Sequence, residues 1–348
     1  LERPTHGGNR DWAAALANCS ISQLLDFSAS INPLGPPKSA LEALQASLSE
    51  LIYYPDPNYT QLRSELAQKH QLSPDWILPG NGVAELLTWA ARDLCELEKV
   101  NLVTPAFADY RRALQTFGAD LEFCPLDLAS GIWQSQRTGK KAGLILNNPH
   151  NPTGHLWRVA EILPLLESYA LVVLDEAFMD FLAEPESLLP WIEEYPNLII
   201  LRSLTKFYSV PGLRFGYAIA HPDRLKRWQQ WRDPWPVNIL ADVVARSVIK
   251  DSAFEQQTWH WLATTSPIMF EELSKIEGLM PRKSAVNFFL VQSEIPSPRI
   301  QEKLLLEDKI LIRDCLSFAE LGSNYFRVAL RTNPDNQRLF QALKSYVF

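Results

Sequence analysis

Between residues 99 and 220 the chain carries short runs that are apolar or nearly so, at 100–103, 121–124, 143–146, 171–174, 198–201 and 215–220, with Asn101 and Glu122 as the polar exceptions. A run this short with no polar alternate buries both of its faces, as a strand of a mainly parallel sheet does. Segments of helical period lie between some of them, at 107–118 and 157–169. Strand and helix alternating in this way predict an α/β fold of three layers, with helices on both faces of a mainly parallel sheet. Ahead of that region the spacing predicts helices over 11–16, 37–48 and 60–70, the second with Leu41, Leu44 and Leu48 on one face. Tyr53-Tyr54-Pro55-Asp56-Pro57 reads as a rigid turn, because each proline fixes φ. A further helix opens after Pro79-Gly80-Asn81-Gly82. Beyond Pro222 a helical stretch leads into a long helix over 237–264, and strands near 286–291, 310–313 and 325–329 close the chain. The expected division is an arm at 1–36 that is partly small-domain, a large domain at 37–250 and a small α+β domain at 251–348.

Composition narrows the classes. A chain of 348 residues, 47% hydrophobic, can bury one large core and a smaller one. The net charge is −7, and no basic block or stripe appears, so nucleic acid is not an expected partner. No apolar run approaches the length of a bilayer span, so a membrane is not expected either. Leu1 in place of Met is read as a sign of trimming, and no secretory signal pattern is visible. The four cysteines form no CxxC pair and the six histidines are scattered, which points to the reducing cytoplasm and away from a metal site.

The candidate chemistry follows the predicted strands. Ser203-Leu204-Thr205-Lys206 comes just after the run 198–201, and Arg214 follows beyond a Pro-Gly turn. A lysine partly desolvated beside another cation loses its proton more readily, and the free amine attacks an aldehyde. Ser203 and Arg214 suit a phosphate, the arginine by a charge-assisted fork. The helix that opens after Gly82 offers backbone N–H groups and a positive dipole end, a second phosphate seat. Asp175 ends a predicted strand, and a carboxylate beside a pyridine nitrogen keeps that nitrogen protonated. A protonated ring is the electron sink of pyridoxal phosphate chemistry. Asn151, in a turn dense in Asn and Pro, suits a donor to the phenolic oxygen, and Phe107 suits a stacking ring. Each feature alone also has an ordinary reading: a loop Lys and Arg, a Gly turn, a helix N-cap, an Asx turn and a core Phe. Their order decides, since all follow strands, at the end of an α/β sheet where ligands bind.

This ordered set resembles the fold-type I pyridoxal-phosphate enzymes, the aspartate-aminotransferase class, over nearly the whole chain. Asn151-Pro152-Thr153-Gly154, Asp175-Glu176-Ala177, and Ser203 with Lys206 and Arg214 carry the resemblance. It implies Lys206 as the Schiff-base lysine, Asp175 as the pyridinium partner, and Asn151 and Phe107 on the ring. It also implies Gly82, Val83, Ser203 and Arg214 on the phosphate, and Tyr54 reaching the phosphate of a neighbouring subunit in a two-fold homodimer.

Within the class the chain is similar to the branch of histidinol-phosphate aminotransferases and threonine-phosphate decarboxylases. Three features resemble the decarboxylases, enzymes of cobalamin biosynthesis: His6-Gly7-Gly8-Asn9; Phe178 where the aminotransferases carry Tyr; and Ile312-Arg313-Asp314-Cys315 with Phe326-Arg327-Val328-Ala329-Leu330-Arg331. The implied reaction is decarboxylation of L-threonine O-3-phosphate to 1-amino-2-propanol phosphate; the alternative is transamination of histidinol phosphate or another amino acid. Arg327 is implied on the α-carboxylate, with Asn151 beside it, and Arg313, His6 and Gly7 on the substrate phosphate. Ser30 stands where the decarboxylases carry Asn, a departure at an expected substrate contact. Independently of any family, two guanidiniums on neighbouring strands suit a small substrate with two anionic ends. Surface arginines paired with acids are the ordinary reading, and Arg331 is either a helper or solvated. A cofactor-binding protein without turnover is the remaining alternative; the joint presence of Lys206, Asp175 and Arg327 argues against it.

Overall fold

Alternate residues of the apolar runs feed two different cores, which is why those runs are strands. Leu144, Leu146, Val172, Leu174 and Ile200 face one cluster, while Ile145, Leu171, Val173, Ile199 and Leu201 face the other. The computed structural model describes residues 2–134 and 139–346; the extreme ends of the expected first and last domains lie outside these residues. In chain order its strands are β1 (Leu25–Asp26), β2 (Ile77–Gly80), β3 (Lys99–Thr104), β4 (Leu121–Pro125), β5 (Gly139–Asn147), β6 (Tyr169–Asp175), β7 (Leu198–Arg202) and β8 (Gly216–Ala220), followed by β9 (Leu279–Pro281), β10 (Phe288–Ser293), β11 (Ile310–Leu311), β12 (Arg313–Asp314) and β13 (Tyr325–Ala329).

The large sheet has the order β2-β8-β7-β6-β5-β3-β4, with only β8 running against its neighbours. The helices Val83–Leu94, Ala108–Thr116 and Pro222–Trp231 cover one face through Leu86, Ala90, Tyr110, Leu114, Leu225 and Trp228. The opposite face packs on Leu62, Leu66, Ile162 and Val244 and on the antiparallel sheet β12-β13-β10-β9 through Phe288, Val291 and Phe326. This is the expected three-layer α/β architecture with a smaller α+β part.

Several expected boundaries are corrected. The helix expected over 157–169 is two single turns, Val159–Ile162 and Leu165–Ser168, because Pro164 lies between them and cannot donate; Tyr169 already starts β6. The long helix expected over 237–264 is two helices, Ile239–Val248 and Ser252–Ser274, divided where Asp251 caps the second by accepting from Phe254 N at 3.0 Å. The stretch 310–313 is split between β11, which pairs with β1, and β12, which pairs with β13. Leu41 and Leu48, expected on the apolar face of a helix, are exposed, and Ala40 and Ser47 are buried instead.

Two histidines, His150 buried and His70 half-buried, tie the stability of this fold to pH. His70 shares a hydrogen bond of 2.8 Å with Tyr217 Oη, and His150 one of 2.8 Å with Thr153 Oγ1. Burial pushes each imidazole down from 6.5 to about 3. An unfolded chain takes up these protons below pH 6.5, whereas the folded chain resists until about pH 3. Stability therefore falls as pH drops through that window. Urea midpoints measured across it are expected to decline, and His70→Gln to flatten part of the decline; a midpoint independent of pH there would refute this.

Candidate active site

The carboxyl ends of the parallel strands bring the predicted residues to one place. In sheet order, Gly82 follows β2, Ser203 and Lys206 follow β7, Asp175 ends β6, Asn151 follows β5 and Phe107 follows β3. They line a cavity of about 630 Å³, together with Val83, Arg214, Ser30, His6, Gly7, Arg313 and Arg327. Tyr54 alone of the predicted residues stands apart. It is exposed, and its ring lies tilted at 34° against Trp235 with centroids 4.6 Å apart; Leu48, Leu51 and Ile52, just before it in the chain, are exposed too.

Lys206 lies on a single helical turn, Leu204–Phe207, with Nζ 3.5 Å from Ser203 Oγ and 5.2 Å from the centre of the Phe178 ring. Its pKa is lowered, first by burial and then by Arg214 and Arg327, against the opposing pull of Asp175. Asn32 clamps this turn: its N–H donates to Lys206 O at 3.0 Å, and its Nδ2 to Phe207 O at 2.9 Å and Thr258 Oγ1 at 2.8 Å.

Asp175 is buried. Its Oδ1 accepts from Ala177 N at 2.9 Å and its Oδ2 from Tyr110 Oη at 2.6 Å. Burial raises its pKa, while Tyr110, Lys206 and the Ala177 N–H pull the other way. Asn147 links this strand end to the next turn, donating to Asp175 O at 2.7 Å and accepting from Asn151 N at 2.7 Å. Beneath the site Arg202 pairs with Glu176 at 2.7 Å and Asp180 at 2.9 Å, bracing the ends of β6 and β7.

The residues fit an aldehyde cofactor with a phosphate and a basic ring nitrogen. Gly82 has φ +75°, and a Cβ there would stand 2.6 Å from Arg214 Nη2, so only glycine keeps the seat beside that guanidinium open. No side chain caps the first turn of the helix Val83–Leu94. Amine, acid, aromatic ring and guanidinium thus surround one cavity.

Arg313 and Arg327 form the opposite wall. They are directly paired across β12 and β13, and both are buried. Arg327 donates to Asn151 Oδ1 and, at 3.3 Å, to Ser28 O; Arg313 donates to Thr5 O and to Ser317 Oγ. Among the described residues neither has a carboxylate at ion-pair distance; Asp314 is taken by Arg3 at 2.6 Å. Burial, and then Arg313 beside it, pushes Arg327 down to about 10. The expectation of arginines paired with acids is overturned here. Arg331 goes the other way: it binds Asp335 at 3.1 Å and Asp26 O at 3.1 Å, outside the cavity, because β13 ends at Ala329.

The segment 5–9 closes the rim. Gly8 N donates to Ser28 Oγ at 2.7 Å, and a Cβ on Gly7 would meet Ser28 O at 2.2 Å. His6 sits with its ring 5.4 Å from that of Phe107. Ser30 Oγ is buried with no hydrogen-bond partner among the described residues. Asn32, Asn147 and Tyr110 were not predicted. The first two sit at the ends of loops dense in Asn and Pro, a signal that was available; Tyr110 has only its place one helical turn after Phe107. Among the described residues no cluster suits a metal ion, and no helix is long and apolar enough to cross a membrane.

Residues 22–343 match the family of class I and II aminotransferases. The chain belongs to that family; its fold is that of the fold-type I enzymes and its cofactor is pyridoxal 5′-phosphate. It is 38% identical to the threonine-phosphate decarboxylase of Salmonella typhimurium, over 99% of this chain and 97% of that one. Among solved structures it is similar to the histidinol-phosphate aminotransferase of Clostridium acetobutylicum, with a TM-score of 0.84 and 29% identity over 92% of this chain and 98% of that one. It is also similar to the L-threonine-O-3-phosphate decarboxylase of Porphyromonas gingivalis, with a TM-score of 0.83 and 26% identity over 92% and 98%.

Proposed function

We propose that the chain decarboxylates L-threonine O-3-phosphate to 1-amino-2-propanol phosphate, a cytoplasmic reaction of cobalamin biosynthesis. One observation carries this reading: two buried guanidiniums, in register on adjacent strands, with no carboxylate among the described residues paired to either. Like charges placed directly opposite are destabilising, so such a pair calls for an anionic ligand. A substrate bearing a carboxylate at one end and a phosphate at the other satisfies both. The 38% identity to a threonine-phosphate decarboxylase supports the same substrate.

In this reading Ser203, Arg214 and the helix start at Gly82 and Val83 hold the cofactor phosphate, Phe107 covers the ring, Asn151 donates to its phenolic oxygen, and Asp175 holds the proton on its pyridine nitrogen. Bound pyridoxal phosphate supplies the electron sink that accepts the pair left at Cα. Lys206 would supply the amine that holds the cofactor's aldehyde, and its Nζ would be the group that returns a proton to Cα. Arg327 and Asn151 would hold the substrate carboxylate in the orientation that favours loss of CO₂ over loss of the Cα proton. Arg313, His6 and Gly7 hold the substrate phosphate, and Ser30 Oγ offers one further polar contact. Phe178 contributes no hydrogen bond to the phenolic oxygen. The division into an arm at 1–36 and domains at 37–250 and 251–348 belongs to this proposal. So does a two-fold pair in which Tyr54, on its exposed apolar patch, reaches the neighbour's phosphate.

The test is a single assay that scores two products. The chain loaded with pyridoxal phosphate is expected to release CO₂ from O-phosphothreonine with no keto acid added. Conversion that depends on 2-oxoglutarate, with no CO₂ above background, would replace this reading by the aminotransferase one, which the similarity to the Clostridium enzyme favours.

A further inference from the structure

The hydroxyl of Tyr110 donates to Asp175 Oδ2 at 2.6 Å, and both residues are buried. The same ring meets Phe107 edge-on, with centroids 5.9 Å apart and planes at 81°. The local sequence explains this reach. Phe107 is the N-cap of the helix Ala108–Thr116, and Tyr110 follows one turn later on the face that looks back over the cap. One side chain therefore touches both the ring read as the cofactor's stacking partner and the acid read as its nitrogen's partner.

We propose that Tyr110 is a positioning residue for Asp175: its hydroxyl fixes the rotation of the carboxylate and leaves the remaining lone pairs of Oδ2 for the cofactor's pyridine nitrogen. The inference rests on the role given to Asp175 above. A buried carboxylate held by a single donor can turn about Cβ–Cγ. With Ala177 N–H on Oδ1 and Tyr110 on Oδ2, its plane is set before the cofactor arrives. Lys206 is the other charged group that acts on Asp175, and Asp109 acts on Tyr110 from the neighbouring position. Burial and the Asp175 charge raise the tyrosine's pKa well above its ordinary value, so the hydroxyl keeps its proton and remains a donor.

The experiment measures the binding of pyridoxal phosphate to the apo-protein by quenching of tryptophan fluorescence. Tyr110→Phe removes one oxygen and is expected to weaken binding about tenfold. In the Asp175→Asn background the same change is expected to have no further effect, because the coupling runs through the carboxylate. Equal binding by wild type and Tyr110→Phe overturns the inference alone. An equal loss on both backgrounds also overturns it, since Tyr110 would then act by packing. A wild-type chain that binds no cofactor overturns the reading of the whole site, and this inference with it. Should Tyr110→Phe melt below the assay temperature, Tyr110→His, which keeps a ring N–H donor, decides. Affinity within about threefold of wild type supports the inference, and a loss as large as that of Asp175→Asn overturns it.

Discussion

Lys206→Ala is expected to lower kcat by on the order of 10⁴-fold or more while leaving the fold intact, because it removes both a covalent anchor and an acid–base group. Among the described residues the amine's one hydrogen-bond contact is Ser203 Oγ, at 3.5 Å, so its loss deletes little that holds the chain together. Burial already disfavours its charged form. The turn that carries it is held by Asn32 through the backbone, which the substitution does not touch. Single-turnover assays with saturating cofactor, set beside thermal melts of the apo-protein, check both halves. Residual activity above about one per cent of wild type would contradict the role given to this lysine.

Arg327→Met is expected to lower kcat/KM by roughly 10²–10³-fold, since it removes a charge-assisted fork to the substrate carboxylate. The same change is expected to leave the apo-protein as stable as before, or more so. Ordinarily, truncating a buried charge exposes its partner to an unmet desolvation penalty. Among the described residues Arg327 has no charged partner to strand, and Arg313 lies in register beside it. Removing one of two like charges relieves repulsion, and methionine refills much of the volume over Phe288, whose ring lies 4.9 Å below the guanidinium. Steady-state kinetics and melting temperatures check the split. A variant with unchanged kcat/KM, or one that loses both activity and several degrees of stability, would show that the guanidinium serves the fold rather than a ligand.

Much of the site was legible because punctuation in the sequence marks the ends of strands. Asp175, Ser203 and Lys206 each follow an apolar run, and Asn151 and Gly82 sit in turns rich in Asn, Pro and Gly just past β5 and β2. Apart from Asn32 and Asn147, what escaped prediction had no local signature. β2 is four residues long and contains Pro79 and Gly80, so it read as the approach to a helix; its place at the edge, pairing only with β8, is what lets it tolerate the proline. The break at Asp251 was hidden because apolar spacing runs on through it. Leu41 and Leu48 keep a helical spacing yet face outward, since periodicity marks an apolar stripe without saying what covers it. Tyr110 reads as an ordinary core aromatic until the fold sets Asp175 against its hydroxyl.

The wall containing Arg313 and Arg327 comes from the late part of the chain, whereas the cavity's lining residues on the lysine side all lie at or before Arg214. During translation Lys206 therefore leaves the ribosome on the order of ten seconds before Arg327. In that interval a nascent chain can form the strands that flank the amine while the pocket still gapes on its anion-binding side. Vitamin captured then would sit in a half-built vessel, open to bulk water, and would become a working prosthetic group only when the final sheet closes over it.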